Sequence, residues 1–198
     1  MEKYRTAILM AGPILFFMAE FILPGGSMDA EARIGIMRAH LWHWHLGHVI
    51  ILLALVMMFV WLMDVYGSAS RGLAWQSFAG AMCVAFALLG DYAIGVLQLF
   101  SVELLHSNPA AAQQVLEFMN GSYYLLAFAY LPTIGFFVGF SLLGWSLLAA
   151  GRSKKQVALL VSAGLLITLG GIIQTQLLFW PGSFALLAFS WINVHAPE

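Results

Sequence analysis

Five long apolar segments, at about 6–24, 42–64, 74–101, 121–150 and 156–180, dominate the chain and leave little else from which to build a water-facing surface. Each is long enough to cross the hydrocarbon of a bilayer, which needs roughly 20 mostly apolar residues at about 1.5 Å each. Of the 198 residues, 62 % are hydrophobic and 9 % are charged, far from the balance of a water-soluble domain. The expected fold is therefore an all-α integral membrane helical bundle, with residues 1–198 forming a single transmembrane domain in contact with lipid.

Charge sets an orientation and removes one class of partner. Eight Lys and Arg stand against nine Asp and Glu, so no basic face exists for nucleic acid. With five spans, Lys3, Arg5, Arg71, Arg152, Lys154 and Lys155 share one side and only Arg33 and Arg38 lie on the other. The positive-inside rule then places the N-terminus in the cytoplasm, here of a bacterial inner membrane. The first 24 residues resemble a signal peptide, but Glu20 interrupts the apolar stretch and Ala30-Glu-Ala32 lies well beyond it, so a retained first span is expected. After Trp180-Pro181-Gly182, the run Ser183 to Val194 is short for a crossing and reads as a re-entrant or interfacial helix, or at most as a thin sixth span.

Two features bear on packing. Gly135 and Gly139 form a G-x-x-x-G patch that lets another helix approach closely, whereas Gly144 turns away from that face. Pro132 is expected to bend the fourth helix. The tryptophans fall near the predicted ends, as in interfacial belts. Cys83, the one cysteine, lies in an apolar run and reads as a small core residue, so no disulfide framework is available.

Chemistry concentrates at one end. Four histidines occur within His40-Leu-Trp-His43-Trp-His45-Leu-Gly-His48. On this topology His106 and His195 join them on the outer side, with Glu20, Asp91, Gln98, Glu103, Gln174 and Gln176 in the outer halves of their helices or beside them. A regular helix divides the cluster into two i,i+3 pairs, His40 with His43 and His45 with His48, about 140° apart. The deeper pair, His45 and His48, flanks Gly47 and is the better candidate for a metal site, with Glu20 or Asp91 as the carboxylate of a two-His, one-carboxylate set. His40, His43, His106 and His195 are secondary candidates; snorkelling of amphipathic side chains at the interface explains them equally well. Asp91, costly at membrane depth, should face the bundle interior, where Gln98, Tyr123, Tyr124 and Gln174 are expected to line a pocket.

In its first half the chain resembles a loose group of uncharacterised bacterial polytopic membrane proteins. The likeness rests on Ala11-Gly-Pro13, Leu23-Pro24, the amphipathic stretch with Arg38 and His40, and Gly90-Asp91. It implies a compact helical bundle and assigns no activity or residue roles. The His43-x-His45 element is also slightly similar to an H-x-H segment in some short relatives of haem-copper proteins.

These residues point first to a binding or redox protein holding a metal ion (Fe, Cu or Zn) or haem at the outer leaflet, beside a quinone or another hydrophobic ligand, with a role in electron transfer. No C-x-x-C-H is present, which excludes covalent c-type haem. A cofactor-free subunit of a homo-oligomer or larger membrane complex is the second expectation. A membrane enzyme acting on a lipid or isoprenoid, with Asp91 or Glu20 as general acid or base, is the third.

Overall fold

Residues 2–24, 30–121, 130–173 and 176–195 are described by the structure, a computed structural model, and all its regular elements over them are helices. In chain order they are α1 (Glu2–Ile22), α2 (Ala30–Ala39), α3 (Leu41–Ala69), α4 (Ala74–Ser107), α5 (Pro109–Gly121), α6 (Leu131–Ala149), α7 (Lys154–Ile173) and α8 (Gln176–His195). Six of them, all but α2 and α5, are long and apolar enough to cross a bilayer. Large apolar side chains on the outside, such as Leu53, Val56 and Met63 of α3 and Phe78, Met82 and Phe86 of α4, are exposed. That is the exterior of a multi-pass membrane protein, where lipid rather than water meets the surface.

The helix count corrects the sequence reading. Trp180-Pro181-Gly182 does not end a span: Pro181 lies inside α8, which runs for 20 residues to His195. Gly170 packs against Phe179 and Gly182 against Ile167, so α7 and α8 form an antiparallel hairpin. A proline is tolerated within a membrane helix where neighbouring helices pack against the interrupted turn. With six helices in antiparallel succession, both the N-terminal residues and His195 lie at one end, here the basic end, with Arg71 and Lys154. The opposite end, carrying His40 to His48, is the histidine end.

Small residues set the close contacts. A Cβ on Gly139 would stand 2.5 Å from Val84 Cγ2 and 2.7 Å from the Gly80 carbonyl oxygen, and one on Gly135 2.7 Å from that of Cys83. The G-x-x-x-G face of α6 is thus used within the chain, against α4, and not as a surface for another copy. Gly144 meets Val157 and Val161 of α7, on a different face. Gly12 brings α1 against the backbone of Met57 and Met58 in α3. At the basic end Arg5 and Asp64 form an ion pair at 2.8 Å, and α6 closes with Gly151 at φ +86°, where the Arg152 N–H bonds the Leu147 carbonyl. Pro132 occupies the first turn of α6 as described, after Tyr130, whose backbone is also helical; the residues before Tyr130, on which the expected bend bears, lie outside the described residues.

Two cores result. The larger fills the bundle toward the basic end with Leu55, Met58, Trp61, Phe140, Leu160 and Phe189. The smaller joins α2 and α5 to the ends of α3 and α4 through Met37, Trp44, Val102, Leu105, Leu116 and Met119. Trp44 and Trp61 are buried in these cores, whereas Trp42, Trp75, Trp145 and Trp191 are exposed near helix ends as interfacial belts require. An upright α4 is about 51 Å long at about 1.5 Å per residue, against about 30 Å of hydrocarbon, so its histidine end carries the α2–α5 cap beyond the bilayer core.

Six crossings have a direct test. In a Cys83→Ser background, cysteines at Ser153 and His195 should label from one side of the membrane and a cysteine at Ser107 from the other. Opposite labelling of 153 and 195 restores five crossings. Packing gives a second expectation: Gly139→Leu should lower the melting temperature in detergent, overpacking costing about 1–3 kcal/mol. Gly67→Leu, where an added Cβ would meet nothing within 4 Å, should leave it nearly unchanged.

Candidate functional site

Between the two cores lies a cavity of about 250 Å³. Its ionisable lining comes from four different helices: Glu20 of α1, Arg33 of α2, His48 of α3 and Asp91 of α4. Gln98 and Gln176 add amides, and Phe16, Trp44 and Phe179 supply aromatic walls. Along upright helices Asp91 is about 26 Å from Ala74, and His48 about 32 Å from Ala69. The cavity therefore straddles the edge of the hydrocarbon layer, under the α2–α5 cap.

Glu20 is brought there by the α1–α8 contact. Trp180 Nε1 donates to the Glu20 carbonyl at 3.1 Å, Gln176 Nε2 donates to the Leu23 carbonyl at 2.7 Å, and the Phe21 and Trp180 rings stack at 4.8 Å. The Glu20 side chain is 7 % exposed, and Asp91 is half-buried. The two carboxyl groups line the same cavity from different helices. Neither makes a hydrogen bond or an ion pair with another described residue. Two unmatched carboxyl groups facing one cavity are the most unusual feature of the bundle, since ionisable groups at this depth are ordinarily paired.

His48, buried, is held at both ring nitrogens. Nδ1 lies 2.7 Å from the Trp44 carbonyl oxygen, which only accepts, so Nδ1 carries a hydrogen. Nε2 meets the Gln98 side-chain amide, which in a neutral pair turns its NH₂ toward the ring. Arg33 is 5 % exposed; loss of water around its guanidinium holds its pKa below the ordinary arginine value. Its charge reaches His48 across the cavity.

The expected His45 and His48 pair does not aim at one point. His45 Nε2 is 2.9 Å from Glu103 Oε1, a full turn and more beyond Gln98 on α4 and outside the cavity lining. Among the described residues, no group of three or more His, Cys, Asp and Glu side chains is arranged to hold a metal ion. His40 breaks the helix between α2 and α3 with φ −128° and ψ 37°, and His40, His43 and His106 are exposed. His195 is at the basic end, the length of the bundle from the cavity, because α8 crosses rather than returns. Of the expected lining, Gln98 is present, whereas Tyr123, Tyr124 and Gln174 lie outside the described residues. Gln176, expected among the polar residues of this end, is in the lining too, whereas Arg33, Trp44 and Phe179 are lining residues that the sequence does not single out. The buried face of α2, with Arg33 beside Ile34 and Met37, is the signal that points to the first of these three. The comparisons found no matching family model, curated protein or solved structure.

The hydrogen bonds separate the two histidines by experiment. His48→Ala should lower the melting temperature clearly, because it strands the Gln98 amide in a buried site, at about 1–3 kcal/mol. His45→Ala removes a solvent-exposed pair with Glu103 and should cost about 0–1 kcal/mol. Equal losses would show that the two side chains do not differ in this way.

Proposed function

We propose that the protein binds a small lipid-soluble molecule in the cavity at the histidine end, with the polar head of that molecule among Glu20, His48, Asp91 and Gln98 and its apolar body against the aromatic walls. The observation that carries this reading is the convergence of ionisable side chains from four helices on one aromatic-walled space. Apolar surface with a few converging polar groups is the usual make-up of a small-molecule site. At about 250 Å³ the cavity has room for a head group and a short length of body. Toward the basic end the apolar core of Leu55, Met58, Trp61, Phe140 and Phe189 fills the bundle, which favours a binding site reached from the histidine side over an open channel.

In this reading the basic end faces the cytoplasm of a bacterial inner membrane. Arg5, Arg71, Arg152, Lys154 and Lys155 gather there, as the positive-inside rule requires, and the cap and cavity face the periplasm. A quinone is one lipid-soluble ligand of suitable size; its carbonyls would accept from the Gln98 amide, with His48 nearby.

The test is calorimetric titration of the purified full chain in neutral detergent with phenylbutanol, phenylbutylamine and menadione. At least one should bind saturably with one-to-one stoichiometry, and Ile94→Trp, which fills the cavity from α4, should abolish it. Failure of all three to saturate, or undiminished binding by the Ile94 variant, overturns the assignment.

A further inference from the structure

The cavity holds two carboxyl groups against one unpartnered lining donor among the described residues, the buried indole N–H of Trp44. Glu20 and Asp91 offer carboxyl oxygens, and no described residue donates to them. Arg33 lines the same cavity and has a partner of its own, with no ion pair to either carboxyl group. The side chain of Glu20 is more than nine-tenths buried, lines the cavity and is without a partner among the described residues. A buried acceptor left without a donor is costly, so the complementary ligand is one that donates.

Ligand chemistries can be ranked on this ground. A quinone head presents carbonyl oxygens only: it can accept from the Trp44 indole N–H but brings no donor to either carboxyl group. An alcohol donates once. An ammonium group donates two or three N–H bonds, and each is charge-assisted against a carboxylate. The aromatic faces of Phe16, Trp44 and Phe179 around the same space add favourable cation–π contact for a positive head and apolar contact for the body.

We propose that the ligand is a lipophilic amine with a single ammonium head, held by N–H donation to the carboxyl groups of Glu20 and Asp91 and enclosed by Phe16, Trp44 and Phe179. This rests on the cavity being the ligand site and names the class of molecule it takes. Recognition is by charge and donor count, with the body free to vary.

Competition on the wild-type full chain in neutral detergent decides the class without any variant. Phenylbutylamine should bind at least about tenfold more tightly than phenylbutanol or menadione, the margin expected for hydrogen bonds to a charged group. Glu20→Gln and Asp91→Asn should each reduce amine affinity by about tenfold while changing phenylbutanol binding by less than about twofold, and Glu20→Asp should retain most of the amine preference. Melting temperatures of the variants report on folding separately. Binding of phenylbutanol or menadione as tight as that of the amine overturns the amine assignment and leaves the cavity a ligand site. Amine binding unchanged in both carboxyl variants, or displaced equally by sodium ions alone, also overturns it. Saturation by none of the probes removes both this inference and the reading on which it rests.

Discussion

Hydrocarbon cannot solvate a carboxyl group, and the histidine half of this bundle is arranged around that constraint. Glu20 and Asp91 sit on apolar helices whose other faces meet lipid, so both must turn inward, and the inward space must contain polar neighbours. The consequences spread through the local packing. His48 and Gln98 occupy the same wall and satisfy one another. The end of α8 is fastened to the end of α1 by hydrogen bonds to main-chain carbonyls, leaving the Glu20 side chain to the cavity. In the other half Asp64 pairs with Arg5, and the interior is mainly aromatic and aliphatic, alongside buried Ser77, Ser146, Gln156 and Asn193.

The cap depends on the same arrangement. α3 and α4 are longer than a bilayer requires, and their extra turns carry Trp44, Val102 and Leu105 into a second small core with α2 and α5. That core gives Arg33 a buried position without placing it in hydrocarbon: it is carried on a short helix beyond the span ends, yet reaches the cavity. Membrane-facing and cap-facing parts of the cavity thus differ in sign, with carboxyl groups deeper and the guanidinium nearer the end.

Much of this is legible from residues alone, for physical reasons that also explain the failures. Long apolar runs mark the spans because hydrocarbon thickness fixes their length, and the depth of Asp91 implies an inward-facing side chain. Gly135 and Gly139 announce a close helix approach, since small residues in lipid have few other uses, but nothing local names α4 as the partner. The last crossing escapes a sequence reading because Pro181 looks like a terminator; its tolerance depends on α7 packing alongside, a tertiary fact. Misplacing that one helix moves His195 to the wrong end. The histidine cluster misleads in another way: spacing at i,i+3 fixes direction only in an unbroken helix with free ring nitrogens, and here α4 supplies competing partners, Glu103 for His45 and Gln98 for His48. Trp44 reads as an interfacial anchor because its neighbours do, although the cap buries it.

The separation of the two carboxyl groups is set by helices that carry neither. Glu20 moves with α1, which is tied to α8 at the cavity by Trp180 and Gln176. Asp91 moves with α4, which is locked to α6 through Gly80, Gly135 and Gly139. α3 lies between these two pairs, meeting α1 at Gly12 and α4 along its length, and it also supplies His48. α3 meets α1 at both ends, through the Arg5–Asp64 ion pair at the basic end and Leu23 over Gly47 at the histidine end. α1 and α4 are thus joined chiefly through α3. A group that bonds both carboxyls would tie those two helices to each other at the level of the cavity.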